Sequence, residues 1–144
     1  MEEVDMPITP RPDQIQQLVE RAPEGKLYML NLLKFRDTAA YADGRDADIS
    51  GREAYGLYAL GVGKLLHELG GRIVWAGVPN TLVIGDGDLA WDQVALVEYP
   101  SIDAFREMTA SAAYQDIHVH REAGLAHQFL INCLSADQAM AALG

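Results

Sequence analysis

The chain has 144 residues, enough for one domain around one core. Eleven Lys and Arg stand against 21 Asp and Glu, a formal net charge of −10, which argues against nucleic acid and anionic membrane partners because phosphate contacts need clustered cations. The single cysteine, Cys133, excludes an intrachain disulfide and a thiolate zinc cage.

A small anionic ligand needs only one or two local cations, so it stays open. The acidic start MEEVDMPITP lacks the basic head and apolar run of a signal peptide. No apolar stretch approaches the ~20 residues of a membrane span. The expected setting is reducing and cytoplasmic.

Prolines open the first element, and Ile15, Leu18 and Val19 recur at helical spacing before Pro23 and Gly25. This predicts a short helix over about 12–21. LYMLNLLKF (27–35) is nearly all apolar and too short for a core helix, so it reads as a strand covered on both faces. A polar loop follows. Asp46, Asp48, Ser50 and Gly51 imitate the start of a calcium loop, but the twelfth position is Leu57 and no helix precedes it, which rejects calcium. Ser50 and Glu53 instead form a capping box that opens a helix to Leu69, closed by Gly70-Gly71. Gly56, Gly61 and Gly63 lie inside it, each costing about 1 kcal/mol against Ala. Close packing is the plain explanation, and a backbone bared to a ligand the sharper one.

RIVWAGVPNTLVIG (72–85) reads as strand, Pro-Asn kink and more strand, and WDQVALVEY (91–99) as a third strand. Ser101 caps the next helix, with Asp103 in its first turn. A further helix covers AAYQDIHVHRE and ends at Gly124, LAHQFLINCL is the fourth strand, and SADQAMAALG is a terminal helix or tail. After the first helix the order is βαββαβ. That predicts an α+β, ferredoxin-like protein: a four-stranded antiparallel sheet with helices on one face and an extra N-terminal helix. The division is an arm and helix over 1–25, the ferredoxin-like domain over 26–135, and a tail or short helix over 136–144. Strand one is apolar on both alternating sets, Met29, Leu33 and Phe35 against Tyr28, Leu30 and Leu32. Its second face needs a cover, and a homodimer joined sheet to sheet supplies one.

MLNLLKFR, SGREAYGLY, GGRIVWAG, WDQVALVEYPSIDAF and AYQDIHVHREAGL together resemble the longer members of domain-of-unknown-function family 1330. The resemblance runs from about Lys26 to Leu134 and implies the dimeric α/β-barrel, ferredoxin-like superfamily. That superfamily includes cofactor-independent monooxygenases, haem enzymes, lactone isomerases and binding modules, so the resemblance implies a fold without choosing a chemistry.

The side chains must therefore carry the functional argument. On a helix, Tyr114, His118 and Arg121 share a face, while His120 points away from His118. A His-x-His pair chelates poorly from a helix, and His67 and His127 stand alone, so no metal is expected. No nucleophile elbow, phosphate loop or dinucleotide fingerprint is present, so no organic cofactor is expected. Cys133 in its apolar strand is inert packing.

His118 is the candidate acid or base. Arg121 and Asn31 are the candidates to hold substrate oxygens, Tyr114 to orient one, and Tyr55 and Trp75 to shape an aromatic-lined pocket. Each has a structural alternative. Basic groups suit a helix C-terminus, and Asn31 can bond a turn or Glu98. Arg121 is expected to pair with a carboxylate of the fold, from Glu107, Asp116 or Glu122. Two functions remain: a cofactor-independent oxygenase or isomerase acting on a small organic molecule, and a non-catalytic ligand-binding or stress-related homodimer.

Overall fold

A computed structural model describes residues 8–45 and 48–144. Residues 1–7 of the arm, and Asp46 of the rejected calcium loop, lie outside the described residues.

Helix α1 spans Pro12–Arg21 and strand β1 Leu27–Phe35. Helix α2 spans Gly51–Glu68, strand β2 Arg72–Gly77 and strand β3 Gln93–Tyr99. Helices α3 (Ile102–Ala110) and α4 (Ala112–Gly124) precede β4 (Leu125–Cys133) and α5 (Ala136–Ala142). The four strands lie in the order β2-β3-β1-β4, every neighbouring pair antiparallel, which is the ferredoxin-like sheet.

Local chemistry sets the boundaries. Ser50 accepts from the Glu53 amide at 3.0 Å and Glu53 returns the bond, so α2 opens with the expected capping box. Ser101 and Ser111 cap α3 and α4 in the same way. Gly70, at φ +88°, reverses the chain after α2, a conformation that costs a residue with a Cβ far more.

Period-two alternation divides the sheet. Leu27, Met29, Leu33 and Phe35 face the helices and are buried with Tyr58, Leu66, Tyr99, Met108, Tyr114 and Leu125. Leu27, Leu33 and Leu125 are fully enclosed, each worth about 1.5–3 kcal/mol of apolar burial. The alternate set of β1, with Leu96, Trp75, Phe129 and Ile131, covers the opposite face. No element of the described chain packs over that face, and Tyr28, Leu30 and Leu32 are only half-buried.

Two strand expectations fail. Residues 78–91 form no strand, and β3 begins at Gln93 rather than Trp91. Val83 and Ile84 are 86% and 90% exposed, because no described strand offers them a ladder partner. Trp91 stacks on His127, with ring centroids at 5.1 Å.

The glycines of α2 divide by space. A Cβ at Gly61 would meet Ile117, so packing explains that one, whereas Gly56 and Gly63 have nothing described within 4 Å. A close approach joins the start of α2 to the end of α4. A Cβ at Gly124 would lie 2.4 Å from the Gly51 carbonyl oxygen and 2.9 Å from the Tyr55 nitrogen.

Gly124→Ala is therefore expected to destabilise by about 1–3 kcal/mol through overpacking. Gly56→Ala is expected to stabilise by up to about 1 kcal/mol through helix propensity. Urea unfolding of both variants checks the pair, and equal midpoints would contradict the crossing.

Candidate functional site

A chain of polar side chains crosses the helix-facing side of the sheet. Asn31 is the one polar residue on the inward set of β1. Its Nδ2 donates to the carbonyls of Met29 and Ala95 at 3.3 and 3.4 Å. Its Oδ1 accepts from Gln128 Nε2 at 2.9 Å. Gln128 Oε1 in turn accepts from Arg121 Nη2, which also donates to the Ile8 carbonyl. Glu98, the alternative partner for Asn31, lies on the opposite face with Tyr28. There burial acts against its charge, but Arg72 and Lys26 outweigh this and hold its carboxyl below the ordinary range.

Arg121 is only 8% exposed. The carboxylate expected for it is absent among the described residues. Glu122 turns to His118 instead, with Oε1 at 2.7 Å from Nδ1, and neither Glu107 nor Asp116 reaches it. The reason is geometric: Arg121 points from the last turn of α4 toward the sheet, whereas its acidic neighbours in sequence point outward. Two neutral oxygens supply hydrogen bonds but no countercharge. Nε and Nη1 make no hydrogen bond among the described residues.

Arg121 borders an open cleft of about 920 Å³ between α1 and β4. Ile15 and Leu18 of α1 form one wall, Phe105 of α3 another, and Met29, Gln128, Leu130 and Asn132 the floor. A smaller cavity of about 90 Å³ lies beyond Asn31, beneath α2, against Tyr55, Tyr58 and Tyr99. The polar chain thus runs from the cleft to the small cavity.

The proposed site residues separate into two groups. Asn31, Tyr55 and Arg121 come together, with Tyr114 behind them: its hydroxyl is 3.1 Å from that of Tyr58. Trp75 does not join them. It sits on the uncovered sheet face, 61% exposed. His118 borders neither cavity and is held by Glu122 with its ring near Tyr114. His120 bonds the Tyr41 hydroxyl at 2.7 Å and fastens the loop before α2. Sequence reasoning missed Gln128, the link between Asn31 and Arg121. A polar residue inside the apolar run LAHQFLINCL was the available signal.

Among the described residues no three His, Cys, Asp or Glu side chains converge on a metal-sized space. Nor is any described helix long and apolar enough to cross a membrane.

The topology and cleft define an α+β ferredoxin-like protein with a pocket between its sheet and an added N-terminal helix. The sequence pattern of the family described as Domain of unknown function (DUF1330) matches residues 39–132, and the chain belongs to that family. It is similar to the methylated RPA0582 protein at 36% identity and a TM-score of 0.82, covering 92% of this chain and 98% of that one. A second structure of RPA0582, a protein of unknown function from Rhodopseudomonas palustris, gives 36% identity and a TM-score of 0.80, covering 89% and 95%. A protein of Caulobacter crescentus shares the fold alone, at 11% identity and a TM-score of 0.50, covering 83% and 99%. No curated protein matches the chain.

Burial pushes the Tyr55 phenol up to about 12, although the nearby Arg121 charge works against it, and raises Tyr58 and Tyr99 as well. The unfolded chain releases these protons near 10.0 while the fold retains them. The associated stability is complete below pH 10.0 and is lost as pH rises toward about 12. Urea midpoints should fall across that window, and fall less steeply in Tyr55→Phe. A flat profile would contradict the burial of the phenols.

Proposed function

We propose that this chain is a homodimeric small-molecule-binding protein whose ligand sits in the cleft between α1 and β4. The cleft carries the reading: about 920 Å³ of space with apolar walls, bordered by Arg121 and by Gln128, whose amide is held in turn by Asn31. Such cavities suit drug-sized organic molecules. Arg121 holds a ligand oxygen, and Gln128 and Asn31 fix the angle of its guanidinium. Tyr55 and Tyr114 back this network from the helix side. Residues 8–21 of the arm supply one wall of the cleft, and the 26–135 unit supplies the rest.

The homodimer reading rests on the uncovered sheet face. Trp75, Phe129 and Ile131 are exposed there, beside half-buried Leu30, Leu32 and Leu96. Lone exposed apolar residues need no explanation, but a contiguous face of this kind favours a partner. The segment 78–91, with Val83 and Ile84 bare, joins the edge strand β2 to β3 and can extend the same contact.

A second reading, a cofactor-independent oxygenase or isomerase, keeps one supporting observation. His127 lies in the strand that floors the cleft, with its ring on the uncovered side against Trp91 and Phe129 and its Nδ1 buried and unpartnered among the described residues. Under this reading His127, not His118, is the acid or base. His127→Ala would then abolish turnover, and His118→Ala would cost less than about 0.5 kcal/mol, as for an exposed pair one helical turn apart.

Sedimentation should give a dimer at micromolar concentration, and Trp75→Glu with Phe129→Glu should give a folded monomer. A parent that sediments as a monomer would overturn the assembly.

A further inference from the structure

We infer that the ligand of the cleft is an organic carboxylate with an apolar body, clamped by Arg121. The inference rests on the cleft being a ligand site and adds the ligand's chemical class.

The first ground is a missing charge. Arg121 is nearly enclosed, and its described partners are the Ile8 carbonyl and the Gln128 amide oxygen, both neutral. A guanidinium stays charged at every physiological pH, so it cannot escape burial by losing its proton. Enclosing an unpaired cation costs several kcal/mol, which an arriving anion offsets. Nε and Nη1, unbonded among the described residues, leave charged N–H donors that the oxygens of an anion can take singly.

The second ground is the sign of the lining. Arg11, Arg21 and Arg121 all border the cleft, and none of its described lining residues is Asp or Glu. In a chain with 21 acids and 11 bases, an acid-free wall bearing three arginines is a local reversal of charge. It draws anions and repels none. Arg11 is partly occupied by Asp13 at 3.1 Å, which leaves Arg121 as the buried anchor and Arg21 at the rim.

The third ground is the rest of the wall. Ile15, Leu18, Met29, Phe105 and Leu130 surround the anchor with apolar surface. That suits an alkyl or aryl body and disfavours inorganic phosphate or a sugar phosphate, which would leave this surface unfilled. The Ile8 carbonyl already occupies one donor of Arg121, where a second ligand oxygen or a water would otherwise sit.

Calorimetric titration of the full chain with decanoate and 2-naphthoate, against decanamide and 2-naphthamide, tests the assignment. The acids should bind about ten- to a hundredfold more tightly than the amides, the worth of a hydrogen-bonded charge. Arg121→Gln should erase the difference, while inorganic phosphate should not compete. The acid-to-amide ratio in the parent chain needs no variant, so a poorly folding Arg121→Gln leaves the test intact. Acid and amide binding equally would overturn the carboxylate class and leave the cleft a ligand site. Neither binding at millimolar concentration would overturn both. A chain carrying Glu2→Gln, Glu3→Gln and Asp5→Asn should keep the preference and the melting temperature. A large loss of melting temperature there would mean that the chain supplies its own countercharge, and would overturn the inference.

Discussion

The contact on which the site depends is the meeting of Gly51 and Gly124, the first residue of α2 and the last of α4. With no side chain at either, the backbones come within a distance no Cβ could share. The Arg36 amide donates to the Gly124 carbonyl at 2.8 Å, and the Gly51 amide to the Arg36 carbonyl at 3.1 Å. The end of β1, the start of α2 and the end of α4 are thus tied at one point. Two consequences follow from helical geometry. Tyr55 lies one turn into α2 and Arg121 one turn before the end of α4, so the crossing sets both against the same part of the sheet. Separating the helices by a methyl group would move the phenol and the guanidinium apart, along with the strand that carries Asn31.

The polar chain from Asn31 to Arg121 is costly to a fold that buries it. A buried amide needs its partners, and Asn31 and Gln128 satisfy one another and the β1 and β3 carbonyls. These bonds make the amides tolerable. They do not neutralise Arg121, because neutral acceptors orient a cation without cancelling its charge. An apolar side chain at 121 would seal the core with less electrostatic cost. A charge kept there, oriented by a neighbour and open to a cleft, has the properties of a binding group more than of a strut. The neighbouring phenols fit this view: burial keeps them protonated, so they add no negative charge that could answer Arg121.

Much of the architecture was legible because local signals agreed with global ones. The capping box at Ser50 and Glu53, the glycine reversal after α2 and the apolar runs of β1 and β4 point to one topology. Residues 81–85 misled because β-branched and apolar residues signal a wish for burial and not its source. In this chain no described strand stands beside them. The site was legible in part. Asn31 stood out as the polar break in an apolar strand. Arg121 drew notice for its chemistry, but its partner was misjudged: acids near in sequence point away from the sheet, and its acceptors are Ile8, far off in the chain, and Gln128 on the strand that follows. His118 was chosen for the helix face it shares with Tyr114 and Arg121, and Trp75 as one of the aromatic set. Only the three-dimensional arrangement tells that one is paired on the outside of α4 and the other lies on the far side of the sheet.

Strand β1 shows how one stretch of nine residues serves both faces. Its period of two sends Leu27, Met29, Asn31, Leu33 and Phe35 to the helices and Tyr28, Leu30, Leu32 and Lys34 to the uncovered side. A slip of one residue against β3 or β4 would exchange the sets, burying Lys34 and carrying Asn31 away from Gln128. Two features hold the register where it is. Asp92 binds the end of the strand, accepting from the Phe35 amide at 2.9 Å and pairing with Lys34 at 3.3 Å. The irregularity between Lys34 and Phe35 lets Phe35 turn inward beside Leu125 while Lys34 stays beside His127. The outward set is then almost wholly apolar and suited to another sheet, and the inward set carries one amide at the point where the polar chain begins. The proposed association and the proposed ligand binding would thus draw on alternate residues of the same strand, so a substitution on one set would change one and leave the other in place.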